Sequence, residues 1–177
     1  MDESGPTEIV PPADSAKAKD GGELRYANGV TVLHKQADIG VQFFGTDGVV
    51  KVDRGKFSLA IKGEVKSQFL RKEDGTSLDS AVAKAEKEFL ADAKVKLYQS
   101  PKGNHLVDFI ACVRSRQKPC THVEIGARSA TVCNLLNLGY YHGQKIAWDP
   151  AKFAFTNGTG NAEWLKAEQR GEYRLEA

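Results

Sequence analysis

Residues 23–34, ELRYANGVTVLH, and 41–55, VQFFGTDGVVKVDRG, decide the fold class. Each is rich in β-branched and aromatic residues, and each is broken by an Asn-Gly or Asp-Gly pair, the pattern of a hairpin whose glycine supplies the positive φ of a tight turn. Asn28-Gly29 is expected to take positive φ and to join residues 24–26 to 30–33. Gly45 to Gly48 is expected to join residues 41–44 to 49–52. A further strand is predicted at 56–61, where Phe57, Leu59 and Ile61 alternate with Ser58 and Ala60. Working back toward the N-terminus, Thr7 to Val10 is β-prone, and the polar stretch after Pro11-Pro12 has no period, so residues 11–22 are read as a loop. The strands are expected to form one sheet with one apolar face.

After residues 62–76, which carry no clear pattern and are read as a variable connector, the period changes. Leu78, Val82, Ala85, Phe89 and Ala93 recur at spacings of three and four behind Ser77, a natural N-cap. A second helix is predicted behind Asn104, with Leu106, Phe109, Ile110 and Val113 as its buried stripe and Pro119 beyond its end. The basic residues of its last turn, Arg114, Arg116 and Lys118, suit the negative end of the helix dipole. Thr121 and Glu124 stand in capping-box spacing before a third helix that Gly143 stops, and Gly126, Ala127 and Ala130 give this helix a small-residue face and the expectation of deepest burial. KIAWDP and AKFAFT then read as short strands. A short helix follows, with residues 165–177 as a tail. Strands first and helices after indicate an α+β domain: an open, mostly antiparallel sheet with helices packed on one face, spanning residues 1–177 as a single domain.

Composition narrows the function. The chain has 177 residues, 41% hydrophobic and 27% charged, enough for a core without covalent staples. A net charge of +2 with scattered basic residues gives no nucleic-acid footprint. No apolar run has the length of a membrane span, and MDESGPTEIVPP lacks the basic-then-apolar order of a signal peptide, so the cytoplasm is taken by default. Cys112, Cys120 and Cys133 are odd in number and are expected to be reduced thiols.

Chemistry-bearing patterns are sparse. Gly158 and Gly160 form a lone G-x-G, with Glu163 where a third glycine belongs and no βαβ unit around it, so the pair reads as a loop and not as a dinucleotide fingerprint. Cys120, His122 and Cys133 lack paired zinc spacing, and Cys112 or Cys120 with His105 makes a weak nucleophile pair. No carboxylate pair stands out for acid/base work. His34, ending a predicted strand, and His105, starting a helix, are the two candidates for lining a ligand site.

Two stretches go beyond generic patterns: RYANGVTVLHKQADIGVQFFGTDGVVKVDRG and SPKGNHLVDFIACVRSRQKPCTHVEIGARSATVCNLLNLGYYHGQKIAWDP. Together they resemble the C-terminal half of Gfo/Idh/MocA-type oxidoreductases. The bacterial group of these has a G-T-x-G hairpin followed by V-D-R-G, a D-F/W-x-x-C-I/V-R-S-R-x-x-P helix, and a V-E-I-G-x-R-S helix ending near W-D-P. The resemblance runs from about Gly5 to the last short helix and is weakest over residues 62–95.

The resemblance implies a parent with an N-terminal Rossmann domain binding NAD or NADP, and a C-terminal domain that closes over a sugar, polyol or related substrate. It also implies a homo-oligomer formed through the outer face of the sheet. The family's E-K-P lysine and its Asp/His motif belong upstream of the region that Met1 resembles, so no catalytic residue, cofactor-binding residue or metal ligand is carried onto this chain. Residues 1–6 themselves resemble an internal stretch of the parent. The expectation is therefore a substrate-side and oligomerisation domain, inactive alone and holding no cofactor of its own. The alternative is a stand-alone carbohydrate- or partner-binding module.

Overall fold

The computed structural model describes residues 4–92, 103–166 and 171. The fold is α+β, and every strand pairing is antiparallel. In place of one sheet there are two among the described residues, and the contacts divide into two compact units. The described residues of Met1–Gln36 and Gln99–Ala177 form one, and those of Ala37–Tyr98 the other.

In the first unit, strands β1 (Pro6–Val10), β2 (Glu23–Tyr26) and β3 (Thr31–Leu33) join β8 (Ile146–Asp149) and β9 (Ala154–Thr156) in the order β3-β2-β1-β8-β9. Register places Ile9 opposite both Leu24 and Ile146, so period-2 alternation puts these three and Trp148 on one face. Leu135 of helix α3 (Val123–His142) packs on them, flanked by Tyr26, Val132, Leu136 and Phe155. Each fully buried aliphatic side chain there contributes about 1.5–3 kcal/mol. Gly139 lets the helix come close, because a Cβ on it would lie 2.9 Å from Ile9 Cγ2. The opposite face is charged: Arg25 bridges Glu8 and Glu23 at 2.9 Å each, and Lys145 reaches Glu8 at 2.6 Å. Lys145 and Arg25 together hold the Glu8 carboxyl below its ordinary range, the Lys145 hydrogen bond contributing most.

The second unit is a meander of β4 (Val41–Phe44), β5 (Gly48–Asp53), β6 (Lys56–Ile61) and β7 (Glu64–Phe69), covered by helix α1 (Leu78–Phe89). Phe57 and Leu59 meet Ala81 and Ala85, and the Ser67 hydroxyl donates to the Ala81 carbonyl at 2.7 Å. Ser77 caps α1 as expected, accepting from the Ser80 N–H. Ala93 lies outside the described residues.

Several expectations are corrected. Residues 62–76 hold β7 and a 3-10 turn (Lys72–Asp74), entered through Lys62 and Gly63, both at positive φ, so this stretch is an integral strand and not a connector. At the first hairpin only Gly29 has positive φ; its N–H donates to Tyr26 O, and Val30 N–H donates to Asn28 Oδ1, which gives a three-residue loop. The capping box at Thr121 does not form. The helix starts one residue later, behind His122, and Glu124 pairs with Arg128 one turn on. Only Leu135 and Gly139 of α3 are buried, and a Cβ on Gly126 would meet open space, so its first half is not the deep element expected. Helix α2 (His105–Ser115) is capped by Asn104 as read, yet its stripe of Leu106, Phe109, Ile110 and Val113 is exposed. The face turned inward carries Asp108, because its carboxylate receives the Cys120 N–H. A short 3-10 helix at Ala162–Leu165 stands where the last helix is predicted; most of the tail lies outside the described residues.

Candidate functional site

A cavity of about 900 Å³ opens in the first unit between the loop of residues 15–19 and the C-terminal half of α3. His34, just past β3, lines it with Lys19, Leu136, Asn137 and Tyr140. The geometry begins with Gly22. A Cβ there would lie 2.8 Å from the Tyr140 ring and 2.9 Å from Leu136, so glycine permits the chain to pass close under the helix. Its N–H donates to the Tyr140 hydroxyl at 2.9 Å, and the same oxygen lies 2.9 Å from His34 Nδ1. The His34 backbone is fixed too, its N–H donating to Gly22 O and its carbonyl accepting from Gly21 N–H. The imidazole is thus held in place at the cavity wall.

His105 is exposed at the first position of α2 and does not line the cavity, so the structure does not gather the two candidate histidines at one wall. The residues that sequence reasoning missed are Tyr140, Lys19 and Asn137. Tyr140 reads as an ordinary helix position, and the Gly22–Tyr140 hydrogen bond joins residues 118 apart in sequence, which no local pattern signals.

Cys112 and Cys120 form no activated nucleophile. Cys112 Sγ stands 3.9 Å from Asp108 Oδ1 and Cys120 N–H donates to Asp108 Oδ2 at 2.8 Å. Desolvation first, then the Asp108 carboxylate, pushes both thiols above their ordinary pKa, opposite to what a nucleophile needs. Among the described residues no group of three or more His, Cys, Asp or Glu side chains is placed to hold a metal, and no helix is long and apolar enough to cross a membrane.

The Gly158–Gly160 turn does not fit a dinucleotide phosphate. Thr159, between Gly158 and Gly160, turns its hydroxyl to Ala147 and Thr156, and a Cβ on Gly160 would strike the Phe155 ring at 2.5 Å. These glycines therefore serve close packing of a turn, and the helix that follows is a four-residue 3-10 segment, not a phosphate-cradling N-terminus.

An α+β domain with antiparallel sheets, covering helices and a ligand-sized cavity defines the class. The family model "Oxidoreductase family, C-terminal alpha/beta domain" of the Gfo/Idh/MocA group matches residues 63–175, more than half of the chain, and the chain belongs to this family. The match includes the second stretch quoted above and much of the segment read as least similar, while the first stretch precedes it. No curated protein and no solved structure matches.

Proposed function

We propose that this chain is the substrate-side and assembly domain of an NAD(P)-dependent oxidoreductase acting on a sugar, polyol or related compound, inactive until a Rossmann-type nucleotide-binding half packs against it. The observation that carries this reading is α2. Leu106, Phe109 and Ile110 recur at buried-helix spacing yet are 61%, 56% and 54% exposed. An apolar stripe of this kind marks an interaction surface. A domain that is by family a C-terminal one has a natural occupant for it in the nucleotide-binding half. The cofactor is NAD or NADP held by that half, which would supply hydride chemistry. This chain's own residues shape and close the substrate side. Self-association uses the outer face of the first sheet, where Glu8, Glu23 and Arg25 place both signs of charge side by side, a pattern that can complement itself across a two-fold axis.

Titrating the isolated chain with NADH tests this reading: no saturable micromolar binding is expected. Co-expression with a Gfo/Idh/MocA nucleotide-binding half should give co-purification that Ile110→Asp abolishes. Saturable NADH binding by the chain alone overturns the proposal. The second reading, a stand-alone carbohydrate- or partner-binding module, is favoured by the cavity lying wholly within one unit. It requires sugar binding without cofactor.

A further inference from the structure

We infer that the cavity beside α3 is a binding site for a small organic carboxylate with an apolar body, held by Lys19 and His34. The inference goes beyond the proposed assembly with a nucleotide-binding half, since all lining residues belong to one unit of this chain.

Charge decides the ligand's head. Lys19 is exposed, makes no ion pair among the described residues, and no Asp or Glu lines the cavity. The nearest acidic neighbours in sequence do not line it. Asp14 pairs with Lys17 at 3.7 Å, and Asp20 accepts the Gln36 N–H at 3.2 Å. The C-terminal end of α3 opposes an anion with roughly half a charge, less than the full charge of one ammonium. The carbonyl of Gly139 in that last turn already accepts the Gly143 N–H at 3.0 Å.

Hydrogen bonding assigns the second contact. The Tyr140 oxygen accepts the Gly22 N–H, so donation of its own O–H to His34 Nδ1 satisfies both side chains and leaves the imidazole proton on Nε2. An imidazole and an ammonium, both on residues that line the cavity, suit a carboxylate, which offers acceptors only. The remaining wall sets the body. Leu136, Leu138, Ala16, Ala18 and the Tyr140 ring present carbon, and the polar side chains left, Ser15, Asn137 and Tyr141, are fewer than the paired donors and acceptors that a polyol needs along its length.

The test uses the 177-residue chain, titrated by calorimetry with 3-phenylpropionate, its neutral isostere 3-phenylpropionamide, and sorbitol. The acid should bind saturably and about tenfold tighter than the amide, as expected for a charge-assisted contact. Lys19→Gln, an exposed replacement that leaves the core untouched, should lose about tenfold in affinity for the acid and almost nothing for the amide. His34→Gln should weaken the acid in a protein whose circular dichroism is unchanged. Equal affinity for acid and amide, no saturation by the acid, an unaltered Lys19→Gln, or tighter binding of sorbitol each overturns the inference. NADH plays no part in this titration, so its failure leaves the proposed assembly standing, and the reverse.

Discussion

The Asp108 carboxylate accepts the backbone N–H of Cys120 at 2.8 Å, tying helix α2 to the turn that leads into α3. Asp108 is only 1% exposed, so this is a charge-assisted bond made out of water. Replacing Asp108 with Ala leaves a half-buried N–H without its acceptor and should cost about 1–3 kcal/mol. Asp108→Asn keeps an acceptor oxygen and should cost less than half as much. Urea denaturation of the two variants checks the order, and equal losses would show that the Cys120 contact is not what the carboxylate supplies.

The same carboxylate adds to the desolvation that holds thiol reactivity down. Cys112 and Cys120 have raised pKa values from desolvation and from Asp108, whereas Cys133 is exposed at the cavity. Because the thiolate is the reacting species, iodoacetamide near neutral pH should modify Cys133 well before the other two. Peptide mapping at partial labelling reads the order directly. Early labelling of Cys120 would contradict the electrostatics.

Local grammar carried much of the fold. Ser77 and Asn104 cap their helices where the sequence places them, and both hairpins form, because these signals act within a few residues. Strand β7 escaped because its entry turn uses Lys62-Gly63, where Lys carries none of the turn preference of Asn or Asp. The exposed stripe of α2 escaped for another reason: periodicity records that a face is apolar and says nothing about whether the partner is this chain's core. Asp108, which looks like an ordinary helix polar residue, instead faces inward. The cavity was legible only through His34. Its shape depends on Gly22, Leu136 and Tyr140 meeting across the chain, a tertiary fact without a local signature.

The Lys62 turn yields its own expectation. Ile61 pairs with Glu64 across a two-residue loop in which Lys62 has φ of 50° and Gly63 of 83°. Both central residues are therefore left-handed, the arrangement in which Asn-Gly is preferred. Lys62→Asn should stabilise the chain by about 0.5–1 kcal/mol, a typical gain from correcting a turn residue. A raised urea midpoint with unchanged slope is the expected readout. A lowered midpoint would mean that the lysine side chain contributes more than its backbone costs.

The charged face of the first sheet predicts a dependence on pH. Glu8 on β1 is held below its ordinary pKa, first by the hydrogen bond from Lys145 and then by the charges of Lys145 and Arg25, which outweigh its desolvation. A carboxyl whose folded pKa lies below its unfolded one contributes stability that is full above the unfolded value. That contribution is lost as pH falls through the folded value. The wild-type chain should therefore exceed Glu8→Gln in Tm at neutral pH, and the gap should close on acidification below the ordinary carboxylate range. Added salt should narrow the gap at neutral pH, because the pairs lie on the surface within reach of counterions. If the gap instead widened toward acid, the protonated side chain would have to be the stabilising form, and the Lys145 and Arg25 contacts would not account for the position of Glu8.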